Sequence, residues 1–160
     1  MDFTLDDRVI LVTGGTGSFG QKFIATCLRR YKPRKVIVFS RDEAKQWEMS
    51  LSAPFKGHPA RRYCIGDVRD EARLEMAFRE VDYVVHAAAL KHITIAEYNP
   101  FECIPSNVHG AENGVRAAIR TDGPQGPALS TDKAATPNTP TGGRRPVGAS
   151  ASMCARLGPR

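Results

Sequence analysis

The sequence predicts an α/β fold built on a doubly wound parallel sheet with helices on both faces. Short apolar, β-branched runs alternate with stretches of helical periodicity over about the first 120 residues, which is the order of strand–helix–strand units. Each run ends in glycine, small or polar residues, and the carboxyl ends of parallel strands meet at one edge of a sheet. We therefore expect one ligand crevice at that edge.

Composition limits the class of protein. Hydrophobic residues make up 41% and charged residues 25% of the 160 residues, as in ordinary globular domains. No apolar run approaches the roughly 20 residues of a membrane helix and no signal peptide opens the chain, so we expect no membrane span and a cytoplasmic location. The four cysteines are far apart, which predicts neither a disulfide framework nor a metal site. The net charge of +6 includes no dense basic run, so no nucleic-acid partner is expected.

The first strand leads into a glycine turn. The apolar run Val9–Val12 ends at Thr13, and apolar residues of helical spacing begin at Phe23. Between them lie four glycines: Gly14, Gly15, Gly17 and Gly20. Such a turn also serves simple strand-to-helix connections. Placed after an apolar strand and before a helix, it favours a dinucleotide, because small residues let backbone N–H groups approach a pyrophosphate at a positive helix end.

The second predicted strand, Lys35–Ser40, carries the choice of cofactor. An acidic residue at its end accepts the ribose 2′-OH of NAD, whereas serine and basic residues suit a 2′-phosphate. Ser40 and Arg41 come first here, and Lys45 follows one helical turn later. The alternative is a solvated loop of mixed charge; we favour NADP. Residues 42–52 are predicted to be helical, with Trp47 and Leu51 on one side.

Two further strands are predicted. Arg62–Ile65 ends before Asp67 and Val68, which either bracket an adenine or, in the case of the carboxylate, cap the helix that starts near Asp70. Val81–Ala89 runs into small residues that let a cofactor pass closely. His86 in that run is interpreted as a strand histidine with no part in the chemistry.

The later chain changes character. Tyr98–Ile119 is predicted to be mainly helical, with its start at Asn99-Pro100. A fifth strand is expected within residues 121–130, although two prolines there remove ladder donors. Residues 1–135 are thus expected to form a dinucleotide-binding domain whose sheet is incomplete on its C-terminal side. Residues 136–160, rich in proline, glycine and arginine, are expected to be irregular or disordered.

Polar groups follow the fourth and fifth predicted strands. Lys91 and His92 follow the fourth, and Ser130-Thr131-Asp132-Lys133 follow the fifth. A hydroxyl, a carboxylate and an amine in sequence can serve as orienter, acid and base. The alternative is an ordinary turn.

Six motifs in this order carry a family resemblance: TGGTGSFG, SRDE, GDVRD, HAAALKH, AEYNPFECI and ALSTDKAA. Over residues 5–135 the chain resembles the extended short-chain dehydrogenase/reductases, and more narrowly the inverting UDP-N-acetylglucosamine 4,6-dehydratases of polysaccharide biosynthesis. The resemblance implies a Rossmann-type domain holding NADP and a UDP-sugar substrate. In that chemistry hydride leaves C4, water is lost across C5–C6, and hydride returns to C6.

The resemblance also implies roles for single residues. The pyrophosphate contacts are Gly14, Thr16, Gly17, Ser18, Phe19 and Gly20. Ser40, Arg41 and Lys45 hold the 2′-phosphate, and Asp67 and Val68 lie at the adenine. Ala88 and Lys91 lie along the nicotinamide ribose, with Lys91 also reaching substrate, and Asn107 lies on the supporting helix as a substrate-binding residue. Thr131, Asp132 and Lys133 form the elimination site, with Asp132 as acid and Lys133 as base.

The chain also departs from the family pattern. The Tyr-x-x-x-Lys pair of the family would fall at Thr141 and Arg145, and a threonine hydroxyl is too weakly acidic to replace that tyrosine. We expect that the chain leaves the family's reading frame after about Ala135, which gives a truncated product without the sugar-binding domain. The alternatives are a dehydratase of nucleotide sugars, a non-catalytic NADP-binding fragment, and an epimerase or reductase of the same superfamily. The sequence leaves the oligomeric state open.

Overall fold

A computed structural model describes residues 4–90 and 93–121. Its strands are β1 (Val9–Thr13), β2 (Lys35–Ser40), β3 (Arg61–Ile65) and β4 (Tyr83–His86). Its α-helices are α1 (Ser18–Arg30), α2 (Glu43–Leu51), α3 (Glu71–Phe78), α4 (Ile93–Tyr98), α5 (Pro100–Ile104) and α6 (Gly110–Arg120). A π-helix, Pro105–His109, joins α5 to α6.

The four strands form one parallel sheet in the order β3-β2-β1-β4. The central strand β1 is buried along its whole length, which explains its uninterrupted apolar sequence. The change of direction in strand order occurs at β1, where one neighbour is β2 and the other is β4. The predicted α/β class with a parallel sheet is confirmed, and the part of the sheet that the structure describes ends at β4.

Helices cover both faces of the sheet, as the doubly wound prediction requires. Alternate residues of β1 point to opposite faces. On one face Ile10 and Val12 belong to a core with Ile24 of α1 and Met49 of α2. On the other face the core contains Val9, Leu11 and Phe39 with the apolar side chains of α3 and α6. Two cores thus fix the sheet between two helix layers and leave its carboxyl edge open.

The predicted helix over residues 42–52 is present as α2, and Trp47 and Leu51 lie together on its exposed side. Trp47 and Leu51 are 66% and 54% exposed, whereas Gln46 and Met49 form the buried side of the helix. The polar Gln46 is buried because it makes hydrogen bonds to both adjacent strands. Apolar spacing alone cannot reveal such a side chain.

The predicted long helix over Tyr98–Ile119 is divided. Helix α5 begins at Pro100, as expected from Asn99-Pro100, and ends at Ile104. Pro105 then starts the π-helix, in which the Gly110 N–H donates to the Pro105 carbonyl five residues earlier. Gly110 also lets the chain pass close to Val68, because an added Cβ would lie 2.7 Å from Val68 Cγ2. The predicted fifth strand and the predicted irregular segment 136–160 lie outside the described residues. Within residues 4–90 and 93–121, no helix is long and apolar enough to cross a membrane.

Candidate functional site

A cavity of about 520 Å³ lies at the carboxyl edge of the sheet, where the ends of all four strands meet. Its lining residues come from the turn after β1, the end of β2 with the start of α2, the segments after β3 and β4, and the π-helix with the start of α6. They include these predicted site residues: Gly14, Thr16, Gly17, Ser18, Phe19, Gly20, Ser40, Arg41, Lys45, Asp67, Val68, Ala88 and Asn107. The structure therefore brings together in one cavity every predicted site residue that it describes.

The glycine turn forms the floor of the cavity. Gly14 has a φ of 65°, a conformation that favours glycine. A Cβ at this position would also lie 2.9 Å from the backbone of Ala88, so the close approach of the two segments requires glycine as well. The Gly17 N–H donates to the Gly14 carbonyl at 2.9 Å, which closes the turn directly before α1 starts at Ser18. The unpaired N–H groups and positive end of α1 thus lie at the cavity, an arrangement that suits an anionic phosphate.

Basic side chains lie at the end of β2. Arg41 and Lys45 border the cavity with side chains that are more than half exposed, whereas Ser40 is buried. Asp42 caps α2 by accepting the Lys45 N–H at 3.0 Å, and this hydrogen bond lowers the pKa of Asp42. The Lys45 ammonium lies 3.4 Å from the same carboxylate. Arg41 and Lys45 thus lie together at the cavity, each within 4 Å of a carboxylate: Arg41 of Asp67 and Lys45 of Asp42.

Sequence reasoning missed Gln46. Its Nε2 donates to Ser40 Oγ at 3.0 Å and to the Cys64 carbonyl at 3.1 Å. The amide thus ties the end of β2 to the end of β3 and fixes the Ser40 side chain at the cavity wall. A glutamine inside a polar helix gives no signal of this role in the sequence.

The segment after β3 excludes one of the two predicted roles of Asp67, that of the cap of the following helix. Helix α3 is capped by Asp70, whose Oδ1 accepts the Arg73 N–H at 2.9 Å, so Asp67 is not the cap. Instead Asp67 accepts hydrogen bonds from the backbone and side chain of Arg69, each at 2.9 Å. Burial raises the pKa of Asp67, but the hydrogen bonds and charge of Arg69 outweigh it and hold that pKa below its ordinary value. The carboxylate is ionised and borders the cavity.

The end of β4 is organised by Thr13 of β1. Thr13 Oγ1 accepts the N–H groups of Ala87 at 3.2 Å and Ala88 at 3.3 Å, and lies 3.1 Å from His86 Nδ1. A hydroxyl oxygen has two lone pairs, so with both in use its own proton donates to Nδ1. His86 is then the neutral tautomer with its proton on Nε2, and burial lowers its pKa to about 4.

The π-helix supplies the remaining wall. Asn107 is buried, its Nδ2 donates to the Leu90 carbonyl at 3.0 Å, and its Oδ1 accepts the Leu90 N–H at 2.8 Å. Both polar ends of this side chain are thus used to hold the segment after β4. Its neighbour Ser106 is 6% exposed, and its buried Oγ has no hydrogen-bond partner among the described residues.

Part of the predicted site lies outside the described residues. Lys91 and the proposed elimination residues Thr131, Asp132 and Lys133 are there, as are Thr141 and Arg145. In the described part of the chain, no group of three or more His, Cys, Asp or Glu could hold a metal ion. The cavity as described can bind and orient an extended anionic ligand.

Comparison with known proteins places this site in context. A family model described as polysaccharide biosynthesis protein matches residues 10–151. The inverting UDP-N-acetylglucosamine 4,6-dehydratase of Campylobacter jejuni is 55% identical over 128 residues, which is 80% of this chain and 37% of that protein. The chain therefore spans little more than a third of that relative's length.

Solved structures share the fold. The X-ray structure of Pen from Bacillus thuringiensis superposes with a TM-score of 0.88 at 33% identity, covering 96% of this chain and 46% of the other. A DesIV double mutant from Streptomyces venezuelae, a dTDP-glucose 4,6-dehydratase with NAD and DAU bound, superposes with a TM-score of 0.78 at 23% identity. The latter covers 91% of this chain and 50% of the other, and its similarity concerns the fold.

Proposed function

We propose that this chain, which belongs to the polysaccharide biosynthesis protein family, is the NADP-binding part of a UDP-N-acetylglucosamine 4,6-dehydratase. The observation that carries the proposal is the convergence of the glycine turn, the basic end of β2 and the segments after β3 and β4 on one cavity. The 55% identity to the Campylobacter jejuni dehydratase supports the choice of reaction.

Each part of the cavity fits one part of the dinucleotide. The amide groups at Thr16–Phe19 and the start of α1 suit the pyrophosphate. The carboxylate of Asp67 suits the exocyclic amine of adenine, and Val68 its ring. Ala88 presents a small side chain where the nicotinamide ribose would pass.

The proposed preference for NADP rests on Arg41 and Lys45, together with Ser40 at the end of β2. A guanidinium and an ammonium at one edge of the cavity complement the two negative charges of a 2′-phosphate. Neither position 40 nor position 41 carries an acidic residue, although an acceptor for the 2′-OH of NAD would be expected there.

The bound cofactor would supply hydride transfer to and from the sugar. The residues of this chain would hold and orient it: the Asn107 amide fixes Leu90, and Thr13 fixes Ala87 and Ala88 beneath the nicotinamide end. We propose Lys91 and Asn107 on the substrate side. At the elimination site we propose Asp132 as the acid and Lys133 as the base, with Thr131 orienting the substrate.

A binding measurement tests the proposal. Isothermal titration calorimetry of the full 160-residue chain should show NADP bound more tightly than NAD. Arg41→Ala should weaken NADP about tenfold, the value of a charged hydrogen bond, and leave NAD nearly unchanged. Arg116→Ala is the matched control, because this arginine pairs with Glu112 on α6 and does not line the cavity. Equal affinity for both cofactors would refute the NADP assignment.

A second measurement separates binding from turnover. With NADP and UDP-N-acetylglucosamine, we expect the chain alone to give no 4-keto-6-deoxy product, because Thr141 cannot serve as the acidic hydroxyl of the family. Robust turnover would contradict this expectation. A C4 epimer as the product would favour the epimerase alternative.

A further inference from the structure

Asp67 lies between two arginines at the adenine end of the cavity. Its Oδ2 is 2.7 Å from the Nη2 atom of Arg69 and 3.6 Å from the Nη1 atom of Arg41. The Arg69 Nε also donates to Oδ2, and the Arg69 backbone N–H donates to Oδ1, each at 2.9 Å. One carboxylate therefore has three short contacts from Arg69 and one long contact from Arg41.

The two arginines are held differently. The Arg69 guanidinium lies between two carboxylates, because its Nη1 also donates to Glu102 Oε2 of α5 at 2.9 Å. Arg41 is 53% exposed at its side chain, and Asp67 is its one ion-pair partner among the described residues, beyond hydrogen-bond distance. Arg69 is thus fixed in place, whereas Arg41 can turn toward a ligand at little cost.

Resting on the proposed function, we propose that Arg69 is a positioning residue for cofactor choice: it occupies the Asp67 carboxylate and so keeps Arg41 available to a 2′-phosphate. Without Arg69, the partly buried carboxylate would lose its three short contacts and would compete with the phosphate for the Arg41 guanidinium. Charge-assisted pairs at hydrogen-bond distance are stronger than pairs at 3.6 Å, so Arg41 would move onto Asp67.

The inference concerns the ratio of two affinities. Asp67 and its surroundings meet the adenine, which NADP and NAD share, so a general disturbance there weakens both cofactors alike. Only a change at Arg41 alters the preference for the 2′-phosphate. The ratio of the NAD dissociation constant to the NADP dissociation constant therefore reports on the proposed role and cancels a merely structural one.

The experiment measures this ratio by calorimetry on the full chain and its variants. Arg69→Ala should lower the ratio about fivefold, the size of one exposed ion pair. Adding Asp67→Asn to that variant should restore the ratio, because the competing charge is gone. Arg116→Ala, which removes an equal charge outside the cavity, should leave the ratio unchanged.

Two variants keep the test decisive if Arg69→Ala does not fold. Asp67→Asn alone should keep or raise the ratio, since it also frees Arg41. Arg69→Lys should keep more of the ratio than Arg69→Ala, since it retains the charge. A fall in the ratio for Asp67→Asn, or equal weakening of both cofactors by Arg69→Ala, would overturn the proposal. The affinities of 2′,5′-ADP and 5′-AMP, which differ only in the 2′-phosphate, should change in the same sense.

The two proposals fail in different ways. If the wild-type chain binds neither cofactor, the proposed function fails and the role of Arg69 with it. If the chain prefers NADP and the ratio is insensitive to Arg69, the proposed function stands and only the positioning role is wrong.

Discussion

The Thr13 hydroxyl lies 3.1 Å from the Nδ1 atom of His86, at the point where β1 and β4 end as paired neighbours. This hydroxyl also receives the N–H groups of Ala87 and Ala88. A side chain of the central strand therefore fixes the backbone of Ala87 and Ala88, which line the cavity. The arrangement requires a neutral imidazole, because a protonated Nδ1 would meet a hydroxyl whose lone pairs are in use.

The first prediction is a loss of stability in mild acid. The pKa of His86 is about 4 in the folded protein, below its ordinary value of 6.5, so the unfolded chain binds the proton more readily. The neutral His86 therefore contributes its full share of the free energy of unfolding above pH 6.5, and this share is lost as the pH falls toward 4. Between pH 7 and pH 5 it amounts to about 2 kcal/mol.

Urea unfolding at both pH values measures this change. Carboxylates also titrate, so the comparison is with His86→Asn, whose free energy of unfolding should fall about 2 kcal/mol less over the same interval. A His86→Asn variant with the wild-type pH dependence would show that His86 does not carry the effect.

The second prediction contrasts two glycines of positive φ. Gly14 has a φ of 65° and Gly57 a φ of 67°, so alanine costs about 1–2 kcal/mol of backbone strain at either. At Gly14 the new Cβ would also lie 2.9 Å from the Ala88 backbone, whereas at Gly57 nothing lies within 4 Å. Gly14→Ala should therefore lose a further 1–3 kcal/mol, roughly, and cofactor binding as well.

Urea midpoints and cofactor titrations of the two variants provide the comparison. Gly57→Ala should bind the cofactor normally, since Gly57 is not among the residues that line the cavity. Equal destabilisation by the two substitutions would mean that the contact between Gly14 and Ala88 relaxes freely.

The fold and the outline of the cavity could be predicted because they depend on local patterns. Apolar strand runs, the glycine spacing and the residues that follow each strand are all consecutive in sequence, and parallel topology brings them to one edge. The predicted strand Arg62–Ile65 differs from β3 by one residue. The predicted Val81–Ala89 exceeds the four residues of β4, because the alanines leave the sheet to line the cavity.

The network around the cavity could not be predicted, since its partners are distant in sequence. Gln46 meets Cys64, Arg69 meets Glu102, and Asn107 meets Leu90. Nothing in the local pattern of any of these residues indicates its partner. The same limit applies to α2, whose buried side contains the amide of Gln46 while the apolar Trp47 and Leu51 are exposed.

The third prediction concerns the Asn107 clamp. Asn107→Leu keeps the number of side-chain heavy atoms and their branching at Cγ but leaves the Leu90 N–H and carbonyl without their partner, which should cost about 1–3 kcal/mol. Hydrogen exchange at the Leu90 amide should accelerate. Asn113→Leu is the matched control, because Asn113 Nδ2 donates to the carbonyls of Val68 and Arg69 instead. Unchanged exchange at Leu90 in Asn107→Leu would contradict the clamp.

The last prediction follows from the unpartnered hydroxyl of Ser106. This Oγ is buried in the π-helix that lines the cavity, and among the described residues it has no hydrogen-bond partner. Burying a hydroxyl without a partner costs free energy, so removing it should not destabilise the cofactor-free protein. Ser106→Ala should leave the free energy of unfolding unchanged or raise it by about 1 kcal/mol.

Ser40→Ala is the matched control, because the Ser40 hydroxyl is also buried but accepts a hydrogen bond from Gln46 at 3.0 Å. It should lose about 1 kcal/mol. Urea unfolding without cofactor measures both variants, and calorimetry then compares their cofactor affinities. If Ser106→Ala is destabilised as much as Ser40→Ala, the Ser106 hydroxyl has a partner in the free protein. If Ser106→Ala keeps its stability but binds the cofactor more weakly, the Ser106 hydroxyl makes a hydrogen bond to the ligand that enters the cavity.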